Sequence, residues 1–243
     1  MNFTAMPPRH VGLGTGTAAC LAAATGAAHL LGLEHSHNRI ALDSERGGTS
    51  GIGVNCFSVG GVVFDGGRIV AANEPFSPSR YSKPDRHPPV ISRLELSSRW
   101  RVTLCIPPGS APHGEDELDF FTRQMPLPAD ESLKSIALAY HGVAPAILEE
   151  DLRALGAAIR ELHLIGFKKR EVERQDHSTQ SLLRDLQNRR EMAAGMSSLG
   201  PLVYTITEVD DGHSLEYIRS RAESAGARVV EAVPSLTGRR IES

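Results

Sequence analysis

His10-Val11-Gly12-Leu13-Gly14-Thr15-Gly16-Thr17 decides how this chain is read, because a glycine-threonine loop feeds directly into the Ala-rich run Ala18 to Leu33. Glycines at 14 and 16 admit backbone angles closed to other residues, so successive N–H groups can converge on an anion, and a helix N-terminus adds its own attraction. No lysine follows at the Walker spacing, so this loop alone reads either as a phosphate cradle or as a tight turn. Two segments of the same character follow, Gly47-Gly48-Thr49-Ser50-Gly51-Ile52-Gly53 and Gly195-Met196-Ser197-Ser198-Leu199-Gly200-Pro201. Their hydroxyls (Thr49, Ser50, Ser197, Ser198) join the backbone donors of Gly51, Gly53 and Gly200, a mixture suited to pyrophosphate or carboxylate. Each alone reads as a turn or a cap; together the three point to a ligand rich in phosphate.

The rest of the composition bounds the class. With 243 residues, 40% of them hydrophobic and 23% charged, the chain can bury a real core in one or two domains. Its net charge of −3 leaves Lys168-Lys169-Arg170, Arg189-Arg190 and Arg239-Arg240 as local basic patches, which argues against nucleic acid as the main partner. Cys20, Cys56 and Cys105 are odd in number and set among apolar residues, which suits small core residues in a reducing compartment. No signal-peptide pattern and no run of about 18 apolar residues occurs, so the expectation is a cytoplasmic protein that does not span a membrane.

Along the chain, Ala18 to Leu33 reads as a buried helix and Gly61 to Gly67 as a short strand closed by a turn, with Val54-Asn55-Cys56-Phe57 leading into it. Five prolines between Pro75 and Pro89 mark a boundary, and a second unit is expected from near Ser98. There Arg101 to Ile106 reads as a strand, Glu115 to Gln124 as a helix, Asp130 as the cap of another, and Pro145 to about Leu164 as one long helix. A helix over Ser178 to Ala194, a strand over Leu202 to Thr207, a helix over Ser214 to Ala225 and a strand over Ala227 to Val233 complete it. The pattern predicts α+β units, with helices on mainly antiparallel sheets.

Asp65 lies at a strand end, where it could bind Mg²⁺, orient a ribose hydroxyl or act as a base, or simply make an Asp-Gly turn. Lys168 and Lys169 could pair with a phosphate or carboxylate, or form part of a solvated face. His35-Ser36-His37 would present two imidazoles to one side of a strand, but it lies in a polar stretch without a third ligand nearby.

On these residues the chain resembles the β-ribofuranosylaminobenzene 5′-phosphate synthase family, a branch of the galactokinase, homoserine kinase, mevalonate kinase and phosphomevalonate kinase (GHMP kinase) superfamily. His10 to Thr17 looks like the superfamily's phosphate loop. Arg46 to Val54 with Gly60 to Gly67, Gly166 to Glu173, and Ala194 to Tyr204 look like the branch's own signatures. Two departures stand out: only nine residues precede His10, where the family carries a block of strands, and Arg68 stands where much of the family has histidine.

The resemblance implies a GHMP-kinase-like two-domain α+β architecture, with an incomplete N-terminal domain over residues 1–97 and a ferredoxin-like α/β sandwich over 98–243. It implies a transferase joining the ribose 5-phosphate of phosphoribosyl pyrophosphate to an aromatic carboxylic acid, with release of CO₂ and pyrophosphate and with Mg²⁺ as cofactor. Gly12, Gly14, Thr15, Gly16, Thr17, Thr49, Ser50, Gly51, Gly53, Ser197, Ser198 and Gly200 would then bind phosphate. Asp65, Lys168 and Lys169 would serve the chemistry, and a homodimer could cover an open sheet edge. An ATP-dependent small-molecule kinase and a catalytically silent binding protein are the competing expectations.

Overall fold

The computed structural model describes residues 4–33, 36–67, 69, 77–78, 81 and 86–241. Arg68, His35 and much of the proline-rich stretch lie outside the described residues.

Gly14, at a left-handed φ of 63°, turns the chain into α1 (Thr15–Leu30) without any side-chain cap. The expectation of a fully buried helix is corrected at its end. Leu21, Thr25 and Ala28 are buried, but Leu30 is 83% and Leu31 72% exposed. α2 (His37–Asp43), capped by Ser36, packs Ile40 and Ala41 against Leu21 of α1. The stretch Val54 to Phe57 belongs to a helix, α3 (Ile52–Val59), whose Val54 joins the same cluster.

β1 (Val62–Asp65) pairs antiparallel with β2 (Val90–Leu94). β3 (Trp100–Ile106) then starts the larger sheet. Six helices separate it from the next strand: α4 (Glu115–Gln124), α5 (Ala129–Leu138), α6 (Ala144–Leu148), α7 (Leu152–His163), α8 (Gly166–Glu173) and α9 (His177–Gln187). A π-helical turn, Ala139–Val143, links α5 to α6. β4 (Ala193–Met196), β5 (Val203–Glu208), α10 (Gly212–Ser224) and β6 (Arg228–Ala232) complete the described elements.

The sheet order is β4-β5-β3-β6, antiparallel at every pairing. Within this unit the first strand lies between the third and the fourth, which is the ferredoxin-like β-α-β-β-α-β arrangement with extra helices in its first crossover. Because strand residues alternate between faces, Cys105, Ala194, Met196 and Val203 meet α9 and α10 through Leu182, Leu186 and Ile218. The opposite face, with Trp100, Ala193 and Ile206, packs on Leu152, Leu155 and Ile159 of α7 and on Val62 and Leu94 of the small sheet.

Three expectations are corrected here. The helix expected over Pro145 to Leu164 is two: Glu150 takes a left-handed φ of 55°, and Asp151 restarts the helix by accepting from the Ala154 N–H at 2.9 Å. The helix expected over Ser178 to Ala194 stops at Gln187, and Ala193-Ala194 are strand, covered by α7 and α9. Asp130 sits inside the first turn of α5, whose cap is Pro128.

After β6 the chain returns to the first half. Arg239 N–H donates to the Phe57 carbonyl at 2.8 Å, and Gly61 N–H to the Ser235 carbonyl at 2.7 Å. Gly238 lies so close to the Ser58 carbonyl that any side chain there would collide with it. The segment from Ser235 to Arg239 thus straps the C-terminal end of α3.

Candidate anion-binding site

The first and third glycine loops are stitched together. Ser197 Oγ donates to the Gly12 carbonyl at 2.8 Å, and Leu202 N–H donates to the Val11 carbonyl at 3.2 Å. Gly12, at φ 98°, lies against the Ser197 carbonyl where a side chain could not fit. Behind this junction α1 begins with open space over Gly14 and Gly16. The first N–H groups of a helix lack intrahelical partners, and no side chain caps these. Thr15 is buried, and its hydroxyl is turned away to the Pro8 carbonyl at 2.8 Å, so this threonine serves the loop's shape.

The second loop joins from the side. Gly53, at the start of α3, packs against the Thr17 side chain, and Arg46 reaches Cys20 Sγ of α1 at 3.1 Å. Asp65 holds this loop: Oδ2 accepts from Gly51 N–H and Oδ1 from Gly67 N–H, both at 2.9 Å. Oδ2 therefore shapes the turn that starts α3, and Oδ1 the turn that ends β1. Thr49 Oγ1 donates to the Ser77 carbonyl, and Ser50 Oγ accepts from Ile52 N–H at 3.3 Å.

α8 walls the third loop. Lys168 Nζ donates to the Ser198 carbonyl at 2.8 Å and pairs with the buried Glu171 carboxylate. Burial raises the pKa of Glu171 while Lys168 opposes that shift. Lys169 is separate: it faces solvent, 3.8 Å from Glu173. The structure therefore joins Gly12 to Ser197 and Lys168 to Ser198 at one junction, packs Gly53 on Thr17 near the start of α1, leaves Lys169 outside, and gives Asp65 a supporting position.

Sequence reasoning missed His163, Gln175 and the pair His10 and His113. His163 is buried, donates from Nδ1 to the Ile159 carbonyl at 2.7 Å, and accepts at Nε2 from Met196 N–H at 2.8 Å. It fixes the strand that delivers the third loop, and burial lowers its pKa to about 4. Gln175 Nε2 donates to the Leu199 carbonyl at 2.9 Å. Lys168 and Glu171 lie three apart on α8, the readable signal that they share a face, and Gln175 follows in the turn after it. His10 stacks on His113 with ring centroids 4.4 Å apart, beside a cavity of about 240 Å³ lined in part by His113, Arg174, Gln175 and Pro201. His37, from the His35-Ser36-His37 stretch, packs against His87, with ring centroids 5.2 Å apart, and among the described residues no cluster of three metal-ligating side chains forms.

A β-ribofuranosylphenol 5′-phosphate synthase from Archaeoglobus fulgidus is 35% identical over 233 residues, covering 96% of this chain and 72% of the relative. The chain belongs to this family. Relatives of the same name from Methanocaldococcus jannaschii (36% identical over 207 residues) and Methanothermobacter thermautotrophicus (35% over 215) agree. The chain spans 62% and 65% of the lengths of these two. No protein-family model matches it.

Among solved structures, homoserine kinase from Cytophaga hutchinsonii superposes with a TM-score of 0.65 at 14% identity, covering 96% of this chain and 69% of that one. A phosphotransferase related to the coenzyme A biosynthesis pathway does so with a TM-score of 0.55 at 12% identity, covering 96% and 65%. The fold is that of the GHMP kinases. Among the described residues no helix is long and apolar enough to cross a membrane.

Proposed function

We propose that this chain serves in a phosphoribosyl transfer that forms a C-riboside 5′-phosphate on an aromatic carboxylic acid. The observation that carries the reading is the junction of Gly12 with Ser197, which places the open amides at the start of α1 beside the third glycine-serine loop. A polyanionic donor such as phosphoribosyl pyrophosphate suits such a concentration of backbone donors. The family relationship supplies the ribosyl phosphate product.

In the proposed reaction the bond from ribosyl C1 to the pyrophosphate oxygen breaks, and its electron pair leaves with pyrophosphate. The ring carbon bearing the carboxylate supplies the pair for the new C–C bond. Loss of CO₂ then returns the electron pair of the ring-to-carboxyl bond to the ring. Fixed amides would stabilise the charge gathering on pyrophosphate, and positioning would hold C1 near the ring carbon. Lys168, paired with Glu171, braces the third loop through the Ser198 carbonyl.

Among the described residues Mg²⁺ meets no ready cluster of ligands. Both oxygens of Asp65 are engaged by amides, and no set of three ligating side chains forms among the described residues. In this proposal Mg²⁺ arrives with the donor's phosphates, and no step is assigned to it.

The test incubates the protein with phosphoribosyl pyrophosphate, Mg²⁺ and a panel of aromatic carboxylic acids, following CO₂ and pyrophosphate together. Equimolar release of both supports the proposal. Transfer from ATP to an alcohol would replace it with the kinase reading, which the fold neighbours favour. Donor binding by folded protein with no product in any arm would point to a silent binding protein.

A further inference from the structure

Two consecutive carbonyls of the third loop are drawn to α8 and to the turn that follows it. Lys168 takes the Ser198 carbonyl at 2.8 Å and Gln175 takes the Leu199 carbonyl at 2.9 Å. Gln175 is itself held, because its Nε2 also donates to the Glu171 carbonyl at 3.1 Å and its own carbonyl accepts from Gln180 Nε2 at 2.7 Å. In a trans peptide the C=O and the following N–H point in opposite directions. The bond to Lys168 therefore turns the Leu199 N–H away from α8, and the bond to Gln175 does the same for the Gly200 N–H. The latter closes onto the Ser197 carbonyl at 2.9 Å and tightens the turn. Among the described residues no acceptor meets the Leu199 N–H. Ser198, at a left-handed φ of 49°, adds the backbone reversal that gathers successive amides on one side.

We infer that Gln175 is a positioning residue for anion binding: together with Lys168 it fixes the third loop so that the Leu199 amide is presented to the phosphate ligand. This rests on the phosphate reading of the preceding section and adds to it a residue that touches only the back of the loop. Gln175 would govern affinity without contacting substrate. Its amide group would be needed for donation, not merely for filling space.

The test is calorimetric titration of the full chain with inorganic pyrophosphate, with and without Mg²⁺, alongside the Leu199 amide resonance in a ¹⁵N-labelled sample. Gln175→Ala, with an unchanged melting temperature, should bind about tenfold more weakly, the size of one lost hydrogen bond to a fixed group. Gln175→Glu keeps the shape but, when ionised, cannot donate and sets a carboxylate against the Leu199 carbonyl, so it should be impaired at least as much; full affinity in that variant overturns the inference. If Gln175→Ala does not fold, the wild-type resonance decides. A shift of Leu199 on adding pyrophosphate supports the inference, and a Leu199 signal that stays in place while pyrophosphate binds overturns it. Wild-type protein that binds no pyrophosphate at all would remove the phosphate reading first, and the positioning role with it.

Discussion

The Ser197 hydroxyl donates to the Gly12 carbonyl at 2.8 Å, joining two loops that lie 185 residues apart in the chain. Ser197→Ala removes this bond without adding bulk. The expected result is about 1 kcal/mol of lost stability, together with several-fold weaker binding of phosphoribosyl pyrophosphate, read by urea unfolding and calorimetry on the same preparation. Binding at wild-type strength would detach the junction from the ligand site.

Gly12 and Gly16 should separate the needs of the fold from those of the ligand. A side chain at 12 collides with the Ser197 carbonyl, whereas one at 16 meets nothing within 4 Å. Gly12→Ala is therefore expected to lower the melting temperature. Gly16→Ala, inside a helix, should leave it equal or raise it slightly. If an anion approaches the start of α1, Gly16→Ala nevertheless weakens its binding, and unaltered affinity would place the anion elsewhere. Gly14→Val combines left-handed backbone with a β-branched residue, so its expected loss of binding arrives with strain in the loop.

Asp65 binds the Gly51 and Gly67 amides through separate oxygens. Asn can accept one of these bonds and must turn an NH₂ toward the other donor. Asp65→Asn should destabilise by about 1–3 kcal/mol and cut turnover through misplacement of α3. A variant with normal stability and sharply reduced turnover would give Asp65 a direct part in the chemistry, and normal values of both would reduce it to a turn residue.

His163 sets a pH dependence. Burial holds its folded pKa near 4, against an ordinary value of 6.5, so the folded state binds fewer protons between those values. Its contribution, on the order of 3 kcal/mol, is present above about pH 6.5 and is lost as pH falls toward 4. Glu171, whose pKa is raised by burial, acts in the opposite direction. The difference between wild type and His163→Gln in urea unfolding across this range isolates the imidazole, and parallel curves would show that it carries no linkage.

Much of the fold was legible because it follows simple patterns. The strand over Arg101 to Ile106 and the helix over Glu115 to Gln124 appear nearly where β-branching and spacing put them. α3 was hidden because Gly51, Gly53 and β-branched Val54 argue against a helix; its start is imposed by Asp65, a contact across 14 residues. β4 was hidden because Ala193-Ala194-Gly195 has little strand propensity; packing against α7 and α9 settles it. At the site, the glycine loops were visible as composition. Their joining, the orienting role of Gln175 and the isolation of Lys169 depend on tertiary distances that local sequence does not encode.

The return of Ser235 to Arg239 onto α3 makes the unfolding of the two halves a shared event. β6 leads directly into a segment whose amides and carbonyls complete the hydrogen bonding of Phe57 and Gly61, so loss of the large sheet releases the helix that carries the second loop. A single proteolytic nick after Val233 should therefore loosen a loop far away in sequence, and phosphate ligands bound there should in turn protect that peptide bond from cleavage.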